Sequence, residues 1–128
     1  MNVLILGSNG LVGSSLKRIL ANNQKITELI ASTRKDTDLF SLDSTKKLIN
    51  EHKPDVLINA AAKVGGIYAN NTKRVEFILE NLKINTNVLE SCIPHNNIKI
   101  INLGSSCIYP LEVENPINPV DPDIIIIK

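Results

Sequence analysis

Apolar side chains in this chain gather into four short runs, and between those runs they recur at helical rather than alternating spacing. Val3-Leu4-Ile5-Leu6 is uninterrupted and stops at Gly7, the pattern of a strand covered on both faces in a parallel sheet. Glu28 to Thr33, Asp55 to Ala60 and Ile98 to Leu103 predict three further strands. Leu16, Ile19 and Leu20 predict a helix after Gly13 that ends at Asn22-Asn23. A second helix is expected from about Ser44 to His52, stopped by Pro54. Val75, Ile78, Leu79, Leu82, Val88 and Leu89 mark one face of a long helix ending near Cys92-Ile93-Pro94. Strand alternating with helix predicts an α/β fold, a doubly wound parallel sheet built by right-handed crossovers. From about residue 111 the character changes. Pro116, Pro119 and Pro122 mark a loop, and the run Ile124 to Ile127 fits a buried strand, a helix start or a sticky tail alike.

Composition narrows the class. The 128 residues make one domain at most, and 43% hydrophobic content is ample for a core. Fourteen basic against thirteen acidic side chains leave a net charge of +1, which implies no nucleic-acid or membrane partner. The 3% aromatic content also argues against base-stacking platforms. Cys92 and Cys107 form neither a disulfide framework nor a metal-binding spacing, so no metal is expected and a cytoplasmic setting is. No basic stretch precedes the first apolar run, and no run approaches the length of a membrane span.

The candidate chemistry begins between the first strand and the first helix, at Gly7-Ser8-Asn9-Gly10-Leu11-Val12-Gly13. Glycines there permit a tight turn, close approach of backbone to a pyrophosphate and tight helix–strand packing. The helix start adds free N–H groups and a positive dipole end. A P-loop is excluded, because no Lys-Ser/Thr pair follows the last glycine. About twenty residues on, where an NAD site would carry an acid, stand Ser32-Thr33-Arg34-Lys35. A guanidinium clamps a 2′-phosphate as a bidentate donor, so Arg34 favours NADP (NADPH) over NAD. Asp38 and Leu39 are expected to hold the adenine, by polar contact and by packing. The plain structural alternatives are a turn without a ligand and a solvated Arg-Lys pair. At the other end, Ser105 and Cys107 stand two positions apart just past the last strand, where open α/β sheets hold their ligands. Taken alone, Cys107 reads rather as a small buried apolar residue at a strand end.

Ala60-Ala61-Ala62-Lys63-Val64-Gly65-Gly66, Asn70-Asn71-Thr72 and Gly104-Ser105-Ser106-Cys107-Ile108-Tyr109-Pro110 carry a closer likeness. From Val3 to Pro110 the chain resembles the GDP-L-fucose synthases, which belong to the NAD-dependent epimerase/dehydratase family of extended short-chain dehydrogenase/reductases. The resemblance implies an NADP-binding Rossmann-type domain, with Ala60, Ala61 and Ala62 also at the cofactor. It implies a GDP-sugar substrate, GDP-4-keto-6-deoxy-D-mannose, epimerised at C3 and C5 and then reduced at C4 by NADPH. Ser105 would hydrogen-bond the sugar carbonyl, Cys107 would be the acid or base of epimerisation, and Asn81 would support the active site. The ketone acidifies its neighbouring protons, so a placed base and acid suffice once the enolate oxygen is stabilised.

The sequence also departs from that family. Its Tyr-x-x-x-Lys pair is missing: Thr72 and Val113 stand four residues after Tyr68 and Tyr109, and Ile124 four before Lys128. The family's histidine acid and substrate domain are missing too, and Ser8-Asn9 occupies a turn where members often carry a basic residue. The expectation is a truncated or degenerate copy: residues 1–128 as a partial Rossmann domain, incomplete at its C-terminal end and inactive by itself. An open sheet edge then predicts self-association, and homodimers are usual in the superfamily. Two other readings remain. One is a different nucleotide-sugar epimerase/dehydratase, which the thiol at Cys107 argues against; the other is a non-catalytic remnant that only binds a dinucleotide.

Overall fold

A computed structural model of the chain describes residues 1–104. Four parallel strands, β1 (Asn2–Leu6), β2 (Glu28–Ser32), β3 (Val56–Asn59) and β4 (Lys99–Asn102), lie in the order β2-β1-β3-β4. Leu4 pairs with Ile30 on one side and Leu57 on the other, so the first apolar run is an inner strand of the sheet, as is β3. Four helices connect the strands: α1 (Leu11–Leu20), α2 (Leu42–His52), α3 (Ile67–Thr72) and α4 (Arg74–Cys92).

Strand alternation divides the core in two. Val3, Ile5 and Ile58 face α1 and pack with Leu16 and Leu20. Leu4, Leu6 and Leu57 face the other way, against Ile49 of α2 and Val88 and Cys92 of α4. With helices on both faces, the sheet is doubly wound, as the alternation of elements predicts. From β1 the chain runs outward to β2 and later returns to β3 on the opposite flank. The crevice between the carboxyl ends of β1 and β3 is therefore the topological switch point, where such sheets take ligands.

The helix boundaries differ from the periodicity reading for identifiable reasons. Helix α1 starts at Leu11, not after Gly13: Gly10 is its N-cap, and the Ser14 N–H donates to the Gly10 carbonyl at 2.9 Å. Gly13 is thus a buried helical residue packed on the backbone of Gly7. Helix α2 starts two residues early because Ser41 caps it, its side chain accepting from the Ser44 N–H at 3.3 Å. The short α3 has no counterpart in the periodicity reading, and none of its residues is buried, so it leaves no apolar rhythm to read.

Helix α4 corrects the sequence reading more sharply. Val75, Ile78, Leu79 and Leu82 do share a face, but it points away from the sheet, with each side chain between 55% and 68% exposed. The buried face carries Ile84, Asn87, Val88, Ser91 and Cys92. Among the described residues β4 is an edge strand, and its Ile101 is exposed.

Candidate functional site

Gly7 leaves β1 with φ +73°, a left-handed conformation that favours glycine. A Cβ there would lie 2.8 Å from the backbone N and Cα of Ala61. The turn after β1 and the segment after β3 therefore touch through bare backbone, across the switch point. Gly10 N–H returns to the Gly7 carbonyl at 3.0 Å, and Ser8 N–H crosses to the Ser32 carbonyl of β2 at 3.0 Å. Helix α1 then opens with neither a side-chain cap nor an acidic residue in its first turn. Its first N–H groups thus point from a positive dipole end with no protein acceptor of their own.

Beside this turn is a cavity of about 420 Å³. Gly7, Asn9, Gly10, Arg34, Asp38, Leu39, Ala60, Ala61 and Ala62 line it, so those candidate residues from three separate stretches of sequence come together. Ser8, Leu11, Val12 and Gly13 do not line it: Ser8 and Gly13 are buried beneath the turn, while the Leu11 and Val12 side chains are exposed. Leu11, Val12 and Gly13 contribute backbone at the helix start, whereas the Ser8 N–H donates to the Ser32 carbonyl. Ser105 and Cys107 lie outside the described residues. The strand before them ends at the same end of the sheet, with the Leu103 N–H donating to the Asn59 carbonyl at 3.2 Å.

The wall formed by residues 60–63 is held from behind by asparagines. Asn59, 2% exposed, donates to Asn102 Oδ1 at 2.7 Å and to Asn85 Oδ1 at 3.0 Å, while its own Oδ1 accepts from the Ala61 N–H at 3.2 Å. One side chain thereby ties β3, β4, α4 and the wall together. Asn81 of α4 clasps Lys63 through its backbone, accepting from the N–H at 2.8 Å and donating to the carbonyl at 3.0 Å. The Lys63 ammonium bonds Glu80 at 2.5 Å and Glu76 at 3.3 Å and lies 5.4 Å from the Phe77 ring centroid. Chiefly the Glu80 carboxylate holds its pKa above the ordinary lysine value.

Across the cavity, the loop after β2 has its own internal ties. Asp36 Oδ2 accepts from the Thr33 hydroxyl at 2.6 Å and the Thr33 N–H at 2.8 Å, and these bonds hold its carboxyl below the usual range. Asn87 of α4 donates to the Leu39 carbonyl at 2.8 Å. Sequence reasoning missed several lining residues here: Thr33, Thr37, Phe40, Lys63, Glu80 and Ile84. Phe40 follows Asp38-Leu39 directly, and that adjacency was the available signal. Among the described residues no cluster of His, Cys, Asp and Glu could hold a metal ion, and no helix is long and apolar enough to cross a membrane. Cys92 is buried below the sheet, and loss of solvent pushes its thiol up to about 11.

This geometry fits a dinucleotide: a close-approach glycine, an uncapped helix start and a guanidinium on the opposite rim share one cavity. Comparison with known proteins agrees. The model of the NAD dependent epimerase/dehydratase family matches residues 3–123. GDP-L-fucose synthase 1 of Arabidopsis thaliana is 44% identical over 115 residues, which cover 90% of this chain and 35% of that protein. Among solved structures, the NADP-bound GDP-L-fucose synthetase of Naegleria fowleri has a TM-score of 0.76 at 31% identity, covering 91% of this chain and 35% of that one. The GDP-D-glycero-L-gluco-heptose synthase of Campylobacter jejuni, solved in the presence of NADPH, reaches 0.81 at 31% identity, covering 91% and 34%. The chain thus spans about a third of the length of these relatives. By its fold, its glycine turn and the family match over residues 3–123, the chain belongs to the NAD-dependent epimerase/dehydratase family.

Proposed function

We propose that this chain is the dinucleotide-binding part of an NADPH-dependent GDP-sugar epimerase/reductase of the GDP-L-fucose synthase kind. The observation that carries the reading is the backbone contact between Gly7 and Ala61 beside the uncapped start of α1, at the switch point of the sheet. In this reading the free amides of Leu11, Val12 and Gly13 hold the pyrophosphate, with Gly7 and Gly10 shaping the turn that lets it approach, and Arg34 takes the ribose 2′-phosphate. Asp38 and Leu39 hold the adenine, and Ala60, Ala61 and Ala62 form the opposite wall. Bound NADPH supplies hydride for reduction of a sugar ketone.

The substrate of this reading is GDP-4-keto-6-deoxy-D-mannose. Ser105 donates a hydrogen bond to the ketone oxygen, stabilising the enolate that forms when a neighbouring carbon loses its proton. Cys107 moves that proton, a role that requires a thiol with a depressed pKa. Cys92 is unsuited to it, since burial drives its thiol the other way. Because the 128 residues contain no Tyr-x-x-x-Lys pair, they are proposed to bind cofactor without completing the reduction. The exposed row Val75, Ile78, Leu79 and Leu82 on α4 supports self-association, as in a homodimer. A cytoplasmic setting follows from the same reading of its cysteines.

Calorimetric titration of the folded chain with NADPH and NADH tests the cofactor assignment. Saturable NADPH binding, with NADH weaker, is expected. No saturable binding of NADPH at millimolar concentration rejects the reading.

A further inference from the structure

Arg34 has two acidic neighbours within four residues, yet among the described residues it forms no ion pair with either. The reason lies in the loop. The Asp36 carboxylate is occupied by the Thr33 hydroxyl and N–H, and Asp38 Oδ1 accepts from the Phe40 N–H at 3.0 Å. Both acids are turned onto their own backbone. The guanidinium instead lies over the Phe40 ring, 5.4 Å from its centroid, and both residues line the cavity.

Phe40 is a firm platform for such a contact. On one side the Leu39 carbonyl is bonded to Asn87 of α4, and on the other Ser41 caps α2. With the chain tied on both sides of it, Phe40 offers a face that restrains an arginine side chain with several rotamers otherwise open to it. An aromatic face also leaves the guanidinium edge, with its paired N–H donors, open to an anion. Within the turn itself Ser8-Asn9 brings no positive charge, so Arg34 is the cation this side of the cavity offers.

We propose that Phe40 is a specificity-positioning residue: its ring holds the Arg34 guanidinium at the cavity rim so that it receives a phosphate ester on the 2′-oxygen of an adenosine ribose. The inference rests on the NADP reading above and adds to it a residue that acts through Arg34 and not on the ligand's phosphate directly.

Adenosine 2′,5′-bisphosphate and adenosine 5′-monophosphate isolate that one phosphate, and their affinities for the full chain are measured by calorimetry. The wild type is expected to prefer the bisphosphate. Phe40→Leu narrows the preference about two- to fivefold, the worth of an exposed cation–aromatic contact, by weakening the bisphosphate more than the monophosphate. Phe40→Tyr, which keeps the aromatic face, retains the preference. In an Arg34→Ala background, Phe40→Leu changes the preference no further. If the wild type shows no preference, the NADP reading itself fails and takes the proposal with it. If the wild type prefers the bisphosphate and Arg34→Ala abolishes this while Phe40→Leu does not alter it, the proposal alone is overturned. Equal weakening of both ligands by Phe40→Leu also overturns it, since the ring is then a wall for the adenine. Circular dichroism establishes folding, and should the leucine variant not fold, Phe40→Met carries the same comparison.

Discussion

Replacing Gly7 with alanine should damage this protein through backbone alone. The residue sits at φ +73°, where an L side chain is disfavoured by about 1–2 kcal/mol. The added methyl group would also stand 2.8 Å from Ala61 N and Cα and 2.9 Å from the Ala60 carbonyl carbon. These are main-chain atoms, so no rotamer change relieves the overlap; strand β3 and the turn must move apart. Overpacking of that kind costs about 1–3 kcal/mol. The two effects together predict a loss of about 2–5 kcal/mol, a large share of a domain's usual 5–15 kcal/mol. Urea unfolding followed by circular dichroism measures it as a lower midpoint at unchanged slope. Gly66→Ala is the control: φ is −71° and nothing lies within 4 Å of the added carbon, so a change within about 1 kcal/mol is expected. NADPH affinity should fall in Gly7→Ala well beyond any change in Gly66→Ala. A Gly7→Ala protein as stable as the control would refute the close-approach argument.

Three further outcomes follow from the same structure. Asn59→Ala leaves Asn85, Asn102 and the Ala61 N–H short of a partner and should cost about 1–3 kcal/mol in urea unfolding; a change below about 0.5 kcal/mol would show that the asparagine network is incidental. The Cys92 thiol is raised from 9.0 to about 11 in the folded state. Its stabilising effect is therefore complete below about pH 9 and lost as the pH rises through 11, so Cys92→Ala should flatten the fall in stability over that window; an unchanged pH profile would contradict it. Leu79, 59% exposed on α4, should tolerate lysine with little loss of stability, while sedimentation shows less self-association; unchanged association would remove this face from the contact.

What the sequence reveals depends on whether a residue's role shows in local pattern. Strand β1 is legible because an unbroken apolar run ending in glycine suits a strand covered on both faces, and its neighbours on both sides bear this out. The glycine turn is legible as a motif, but the division of labour within it is not. Gly7 provides the positive φ and the approach to Ala61, whereas Gly13 lets α1 pack down on the turn. Phe40 and Asn59 are not legible. One looks like an ordinary apolar residue before a helix, the other like the polar end of a strand; each acquires meaning only from a partner at Arg34, Asn85 or Asn102 that the fold brings close.

Helix α4 shows why a correct periodicity can still give the wrong inside. Val75, Ile78, Leu79 and Leu82 form the more apolar row, and apolarity alone sends them to the core. The sheet instead takes the opposite row, in which two of the residues are polar. Asn87 can be buried there because its amide donates to the Leu39 carbonyl, and Ser91 because its hydroxyl returns to the Asn87 carbonyl at 2.6 Å. Both polar groups are satisfied inside, so their burial carries little penalty. Asn87 also secures the loop that presents Asp38, Leu39 and Phe40 to the cavity, which an apolar side chain at that position would leave untied. The inward face of α4 thus holds in place the loop that lines the cavity, and its more apolar row lies outward on the surface.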